Sequence, residues 1–160
     1  MANHRFSASV GIAADPETVF EWVADYRHVA QALEGVERWE PLQHQTRGRG
    51  ARFAVAMNAL GFPLENELVL DVWEQPSAIG WRSQSGLIEQ TGRWDFQGGP
   101  DGTEVTLTIS YVPPLGVVGQ LVAGEVDTLV RARLERALAA IKQALETDGG
   151  RSTPSPLRGG

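Results

Sequence analysis

The stretch that decides the fold is ISYVPPLGVVGQLVAGE, residues 109–125. A run with strand-like alternation reaches Tyr111 and then meets Pro113 and Pro114. Proline has no N–H for a sheet ladder, so the strand must end there. The next residues read as the start of a helix, yet its first turns carry almost no charge. Gly116, Gly119, Ala123 and Gly124 keep those turns thin. Thin, apolar turns beside a sheet leave room for a greasy ligand, so this segment is expected to wall a cavity. Glycine weakens a helix by about 1 kcal/mol per residue, so the same end is expected to flex as a gate. The helix is expected to run from Val117 to Glu146, roughly 30 residues or about 45 Å. Its apolar stripe is Val118, Val122, Val126, Leu129, Val130, Leu134, Leu138, Ile141 and Leu145. Arg131, Arg133, Arg136 and Lys142 are assigned to its wet side.

Upstream of this stretch the period is two. TEVTLTISYV points Val105, Leu107, Ile109 and Tyr111 to one face and Glu104, Thr106 and Thr108 to the other. LIEQTGRWDFQ offers Gln90, Gly92, Trp94 and Phe96, and AIGWRSQ offers Ile79, Trp81 and Ser83. PLENELVLDVWEQ offers Leu64, Asn66, Leu68, Leu70 and Val72, with Glu65, Glu67 and Asp71 on the wet side. RFAVAMNA offers Phe53, Val55 and Met57. VERWEPLQHQ is a strand of open register, where Pro41 suggests an edge or a bulge. Turns too short to hold a helix join these strands, which implies an antiparallel meander, wet on one side. At the N-terminal end RFSASVGIA alternates through Phe6, Ala8, Val10 and Ile12. A helix then begins with Asp15 as cap and Pro16 at its first position. Val19, Phe20 and Val23 form its stripe, and a second short helix ends near Gly35, read as a C-terminal cap.

Composition bounds the rest. A chain of 160 residues reads as one domain, and 42% apolar with 21% charged residues are ordinary globular values. With no cysteine, disulfides and thiolate chemistry are excluded, and a cytoplasmic location is expected. The net charge of −6 argues against nucleic acid as a partner. No run is apolar enough to span a membrane. Transient peripheral contact through Val112–Val122 is allowed, without the lysines that strengthen such docking. The segment 147–160 is expected to be a disordered tail, leaving 1–146 as the domain. Nothing bears on the oligomeric state.

The order of elements resembles the START-like, or Bet v 1-like, superfamily, and within it the bacterial polyketide cyclase/dehydrase and lipid-transport group. The resemblance rests on ADPETVFEWVADY, IGWRSQSG, GRWDFQGGPDGTEVTLTISYVPP and LERALAAIKQALE. It implies an α+β helix-grip fold, with about seven antiparallel strands wrapped round the C-terminal helix and two short helices after the first strand. It also implies an internal cavity for a hydrophobic small molecule such as a polyketide, lipid or quinone. The expected lining is Phe53, Val55, Met57, Asn66, Leu68, Trp81, Ser83, Gln90, Trp94, Tyr111, Val118 and Val122.

Three functions are compatible with that cavity: a carrier, a polyketide cyclase or dehydratase, and an interaction module whose core is filled. Inward polar groups discriminate, because burying one costs free energy unless it finds a partner. Tyr111, Asn66 and Gln90 are candidate catalytic groups. Glu125 joins them, because a half-buried carboxylate on the thin helical turns would suit acid or base work. Each also has a purely structural reading: Asn66, Gln90 and Tyr111 paired with one another or with water, Glu125 paired with an arginine, Trp81 and Trp94 as core. His4, His28 and His44 have no metal-ligand spacing, and GRGARF (residues 48–53) lacks the third glycine and the helix of a dinucleotide motif. No metal or cofactor is expected.

Overall fold

The computed structural model describes residues 4–59, 61–86, 89–112 and 120–152, with backbone alone at 59, 62, 86, 120–126 and 148–152. Strand β1 (His4–Ile12) leads into helices α1 (Pro16–Ala24) and α2 (Tyr26–Ala32). Six strands follow: β2 (Val36–Pro41), β3 (Arg52–Ala59), β4 (Phe62–Glu74), β5 (Ala78–Gly86), β6 (Glu89–Gly99) and β7 (Gly102–Val112). Helix α3 (Gln120–Ser152) is the last described element. The sheet order is β1-β7-β6-β5-β4-β3-β2, every pair antiparallel. The meander β2–β7 is therefore built by sequential pairing, and β1 closes onto its last strand. This is the α+β architecture expected from the sequence.

Local chemistry explains the elements. The Asp15 carboxylate accepts from the Thr18 amide at 2.7 Å and caps α1, with Pro16 behind it. Asp25 caps α2 through the Arg27 amide at 2.9 Å. Pro41 sits on β2, an edge strand, where a missing donor costs least. On the solvent face, Ser7–Thr108 and Ser9–Thr106 pair across β1 and β7 at 3.1 and 2.7 Å. The acidic column on β4 is matched by arginines of β3 and β5, Arg52–Glu67 and Arg82–Asp71, and by Arg38 of β2, one strand further on, which meets Glu65.

Helix α3 lies along β1 in the same direction, tied at both ends. His4 meets Asp127 near the start, while the Ala13 amide and the Gly11 carbonyl meet Glu146 and Lys142 further on. The lengths agree. From His4 to Ile12 is about 27 Å of strand, and from Asp127 to Glu146 about 28 Å of helix. Leu134, Leu138, Ile141 and Leu145 are buried, as the stripe requires, and pack with Ile12, Phe20, Trp94, Phe96, Val105 and Leu107. Phe20 meets Trp73 and Phe96 edge-on at 5.2 and 5.8 Å. This half of the interior is solid.

Four expectations need correction. Val72 does not continue the inward row of β4. The register shifts between Leu70 and Val72, so Trp73 turns inward against Phe20 while Val72 stands over Gly80. One extra residue in a bulge reverses parity. Gly35 is not the helix cap: α2 ends at Ala32 with Leu33 as its C-cap, and Gly35, at φ +88°, makes the turn into β2. Arg133 is not on the wet face of α3, as described below. The helix also continues past Glu146 to Ser152, through the segment assigned to a tail. An established helix adds one hydrogen bond per residue, which offsets the weak propensity of Gly149 and Gly150. Residues 153–160, and the helix start expected at Val117, fall outside the described residues.

Candidate functional site

Beside this packed region the interior is not filled. A cavity of about 130 Å³ lies between the inner faces of β2–β7, the α2–β2 turn and the middle of α3. Its walls are almost wholly apolar: Leu33 from the turn, Trp39 from β2, Val55 and Met57 from β3, Leu64 and Leu68 from β4, Trp81 from β5, Ile109 and Tyr111 from β7, and Val130 and Leu134 from α3. Gln90, Glu34 and Arg133 complete it. Period-two alternation brings the strand residues inward, and the three- and four-residue spacing of α3 brings Val130, Arg133 and Leu134 to meet them.

Of the lining expected from the sequence, Val55, Met57, Leu68, Trp81, Gln90 and Tyr111 are there. Phe53 and Trp94 lie one layer away, at a packing gap of about 30 Å³ shared with Trp73 and Val23. Asn66 stands between Leu64 and Leu68, opposite Val55, and is only 8% exposed. It does not line the cavity, and its Oδ1 has no hydrogen-bond partner. The Ser83 hydroxyl accepts from the Gln90 amide at 3.0 Å, so it extends the β5–β6 ladder where backbone pairing stops. Val118 lies outside the described residues, and so do the side chains of Val122 and Glu125; the glycine gate expected at residues 116–124 falls in the same segment.

Tyr111 is the most organised polar group. Its hydroxyl donates to Asp127 Oδ1 at 2.6 Å, and the same oxygen lies 2.8 Å from His4 Nδ1. An ionised carboxylate only accepts, so His4 carries its hydrogen on Nδ1. Tyr111 also stacks on Phe6, and the Arg131 guanidinium lies 5.2 Å from the centre of the same Phe6 ring. Burial first, and then the bond to Asp127, push the Tyr111 phenol well above its ordinary range. Burial pushes Asp127 upward, but hydrogen bonds from Tyr111 and His4 outweigh it and hold the carboxyl below the usual range. Tyr111 is thus a neutral phenol whose proton is committed to Asp127. One end of this chain lines the cavity, and the other is a partly exposed histidine.

Sequence reasoning missed Asp127, His4, Trp39 and Arg133. Arg133 had a signal: it follows Val130 by three and precedes Ala137 by four, which is a stripe position. Trp39 lay on the strand whose register was open, and a bulge between Val36 and Arg38 sets its facing. Asp127 and His4 had none, because they meet across 123 residues. His28 is structural: its Nδ1 donates to the Trp22 carbonyl at 2.8 Å and its ring stacks on Trp22. Among the described residues no cluster of three or more His, Asp or Glu is placed to hold a metal.

A seven-stranded sheet gripping a helix over an apolar cavity defines a class of small-molecule-binding folds. The chain belongs to the polyketide cyclase/dehydrase and lipid transport family, whose model matches residues 3–146. No protein of curated function matches the sequence. Among solved structures, a protein of Thermus thermophilus shares 22% identity at a TM-score of 0.78, over 91% of this chain and 99% of that one. A START superfamily protein of Mycobacterium smegmatis shares 20% at 0.71, over 89% and 99%. The Zhui aromatase/cyclase of Streptomyces sp. R1128 shares 20% at 0.67, over 91% and 94%. At these identities the likeness establishes the fold.

Proposed function

We infer that the protein binds a hydrophobic small molecule in the cavity between the sheet and α3. The observation that carries this reading is the cavity itself. Protein interiors pack to crystal density, with few voids larger than a water molecule. Here the core encloses an open, apolar space of about 130 Å³, lined from seven elements. A filled-core interaction module would not leave that space. The family, with its lipid-transport members, supports the reading. Within it, we place the protein in the cytoplasm, with no nucleic-acid partner and no membrane insertion; no helix among the described residues is long and apolar enough to cross a bilayer. The test is solvent extraction of protein purified gently from its own cells, followed by mass spectrometry. One enriched apolar compound is expected. No enriched compound, together with no ligand-dependent rise in melting temperature across an apolar library, would sink the reading. A ligand at 100 times its dissociation constant adds about 2.7 kcal/mol, which such a screen detects.

A second reading, cyclase or dehydratase, is favoured by the Tyr111–Asp127–His4 chain. A phenol that receives a ligand proton while passing its own to Asp127 would leave that proton on a partly exposed carboxyl, which can release it to solvent. It ranks second because burial and the bond to Asp127 make the phenol reluctant to give up its proton. Extracts of wild type and Tyr111→Phe separate the two. The same compound from both means carriage; product from one and precursor from the other means catalysis.

A further inference from the structure

The polar atoms around the cavity divide into those with partners and those without. Tyr111 is bound to Asp127, and Ser83 to the Gln90 amide. Glu34, the only carboxylate among the described lining residues, is engaged by Arg136 at 2.9 Å. Two donors remain. The indole N–H of Trp39 and the Nε–H of Arg133 are both buried, both come from cavity-lining side chains, and neither has a hydrogen-bond partner. Arg133 also forms no ion pair with a carboxylate among the described residues. Its guanidinium lies against the Gly35 backbone, in the space a β carbon there would need. It is therefore half-buried against the wall, with its Nε–H enclosed.

This arrangement is expensive unless something completes it. A guanidinium keeps its proton in proteins, so Arg133 cannot escape burial by becoming neutral. Burial does lower its proton affinity, with Glu34 opposing and Arg136 adding to the effect. A buried donor left without a partner costs more than one that is paired, and more again when its group is charged. The arginine fork matches a carboxylate bidentately, and an indole N–H can serve one of the same oxygens. Size sets the second constraint. An apolar cavity of about 150 Å³ accepts one benzene ring, whereas drug-sized ligands occupy roughly 300–1,000 Å³. The present cavity, about 130 Å³, is at the lower figure.

Given the ligand-binding reading above, we propose that the ligand is a small carboxylic acid with an apolar body of about one ring, its carboxylate held by Arg133 and Trp39. Calorimetric titration at pH 7.5 tests this with two matched probes, 4-ethylbenzoate and 4-ethylbenzyl alcohol. Wild type is expected to bind the acid at least tenfold more tightly than the alcohol. Arg133→Gln should reduce the acid to the affinity of the alcohol, with the alcohol changed less than about twofold. Trp39→Phe, which keeps the ring and removes the N–H, should weaken the acid several-fold and spare the alcohol. Equal affinity of the two probes for wild type would overturn the carboxylate subsite and leave the cavity reading standing; that comparison needs no variant to fold. Loss of both probes together in Arg133→Gln would mean that the arginine only supports the wall. If wild type binds neither probe while extraction from cells returns a larger compound, the proposed size and charge are wrong but ligand binding survives.

Discussion

Gly92 faces the Trp81 indole across the β5–β6 pair, and a β carbon at that position would fall inside the ring. Trp81 lies flat over strand β6 only because position 92 has no side chain. Gly92→Ala is therefore expected to push the indole out of place and cost about 1–3 kcal/mol, read from chemical unfolding together with a shifted tryptophan emission. Unchanged stability would mean that the ring has other room. Tyr111 gives a second test at this scale. Its folded pKa is raised above the ordinary 10.0, so its contribution is complete below that pH and is lost as pH rises through the folded value. Phenolate absorbance from Tyr111 should therefore appear only well above pH 10, close to alkaline unfolding, and the late step should vanish in Tyr111→Phe. A Tyr111 signal centred at its ordinary value would show that the bond to Asp127 does not hold in solution. Individual polar residues were the hardest part to read from sequence. Parity placed Tyr111, Asn66 and Gln90 inward, but inward is not the same as available: Asn66 is buried without lining the cavity, and the Tyr111 proton is taken.

Helix α3 and strand β1 are bound to each other along matched lengths, and the buried stripe does most of the binding. Leu138 is 2% exposed in the solid half of the core. Leu138→Ala should cost about 2–5 kcal/mol by equilibrium unfolding, since close-packed neighbours cannot collapse into the gap. A cost below about 1 kcal/mol would mean that this half of the interior is as loose as the cavity. Elements were the most legible level, because helices and strands announce themselves through short-range spacing. The Asp15–Pro16 start and the alternation of β1, β3, β6 and β7 all appear where periodicity put them. β4 was legible only as far as its bulge. Past Leu70 one extra residue reversed the facing, and nothing in ELVLDVWEQ marks that place.

At the scale of the molecule, the proposed function rests on the cavity beside the packed core. Val55 lines the hollow from the middle of β3. Val55→Phe should fill part of it, so the free protein should melt at or above the wild-type temperature while the ligand-induced rise disappears. If ligand still stabilises the variant fully, it binds elsewhere. The sequence by itself determined the order and type of elements, the edge position of the proline strand, the inward sets of most strands and the family they resemble. All of these follow from caps, turns and periods acting over a few residues. Only the tertiary structure decided where the cavity lies, that Arg133 and Trp39 enter it without partners, and that Tyr111, Asp127 and His4 form one chain. Those outcomes depend on bulge positions and on the alignment of α3 against β1. They are contacts between residues far apart in the chain, made when the whole interior packs at once, and no local pattern encodes them.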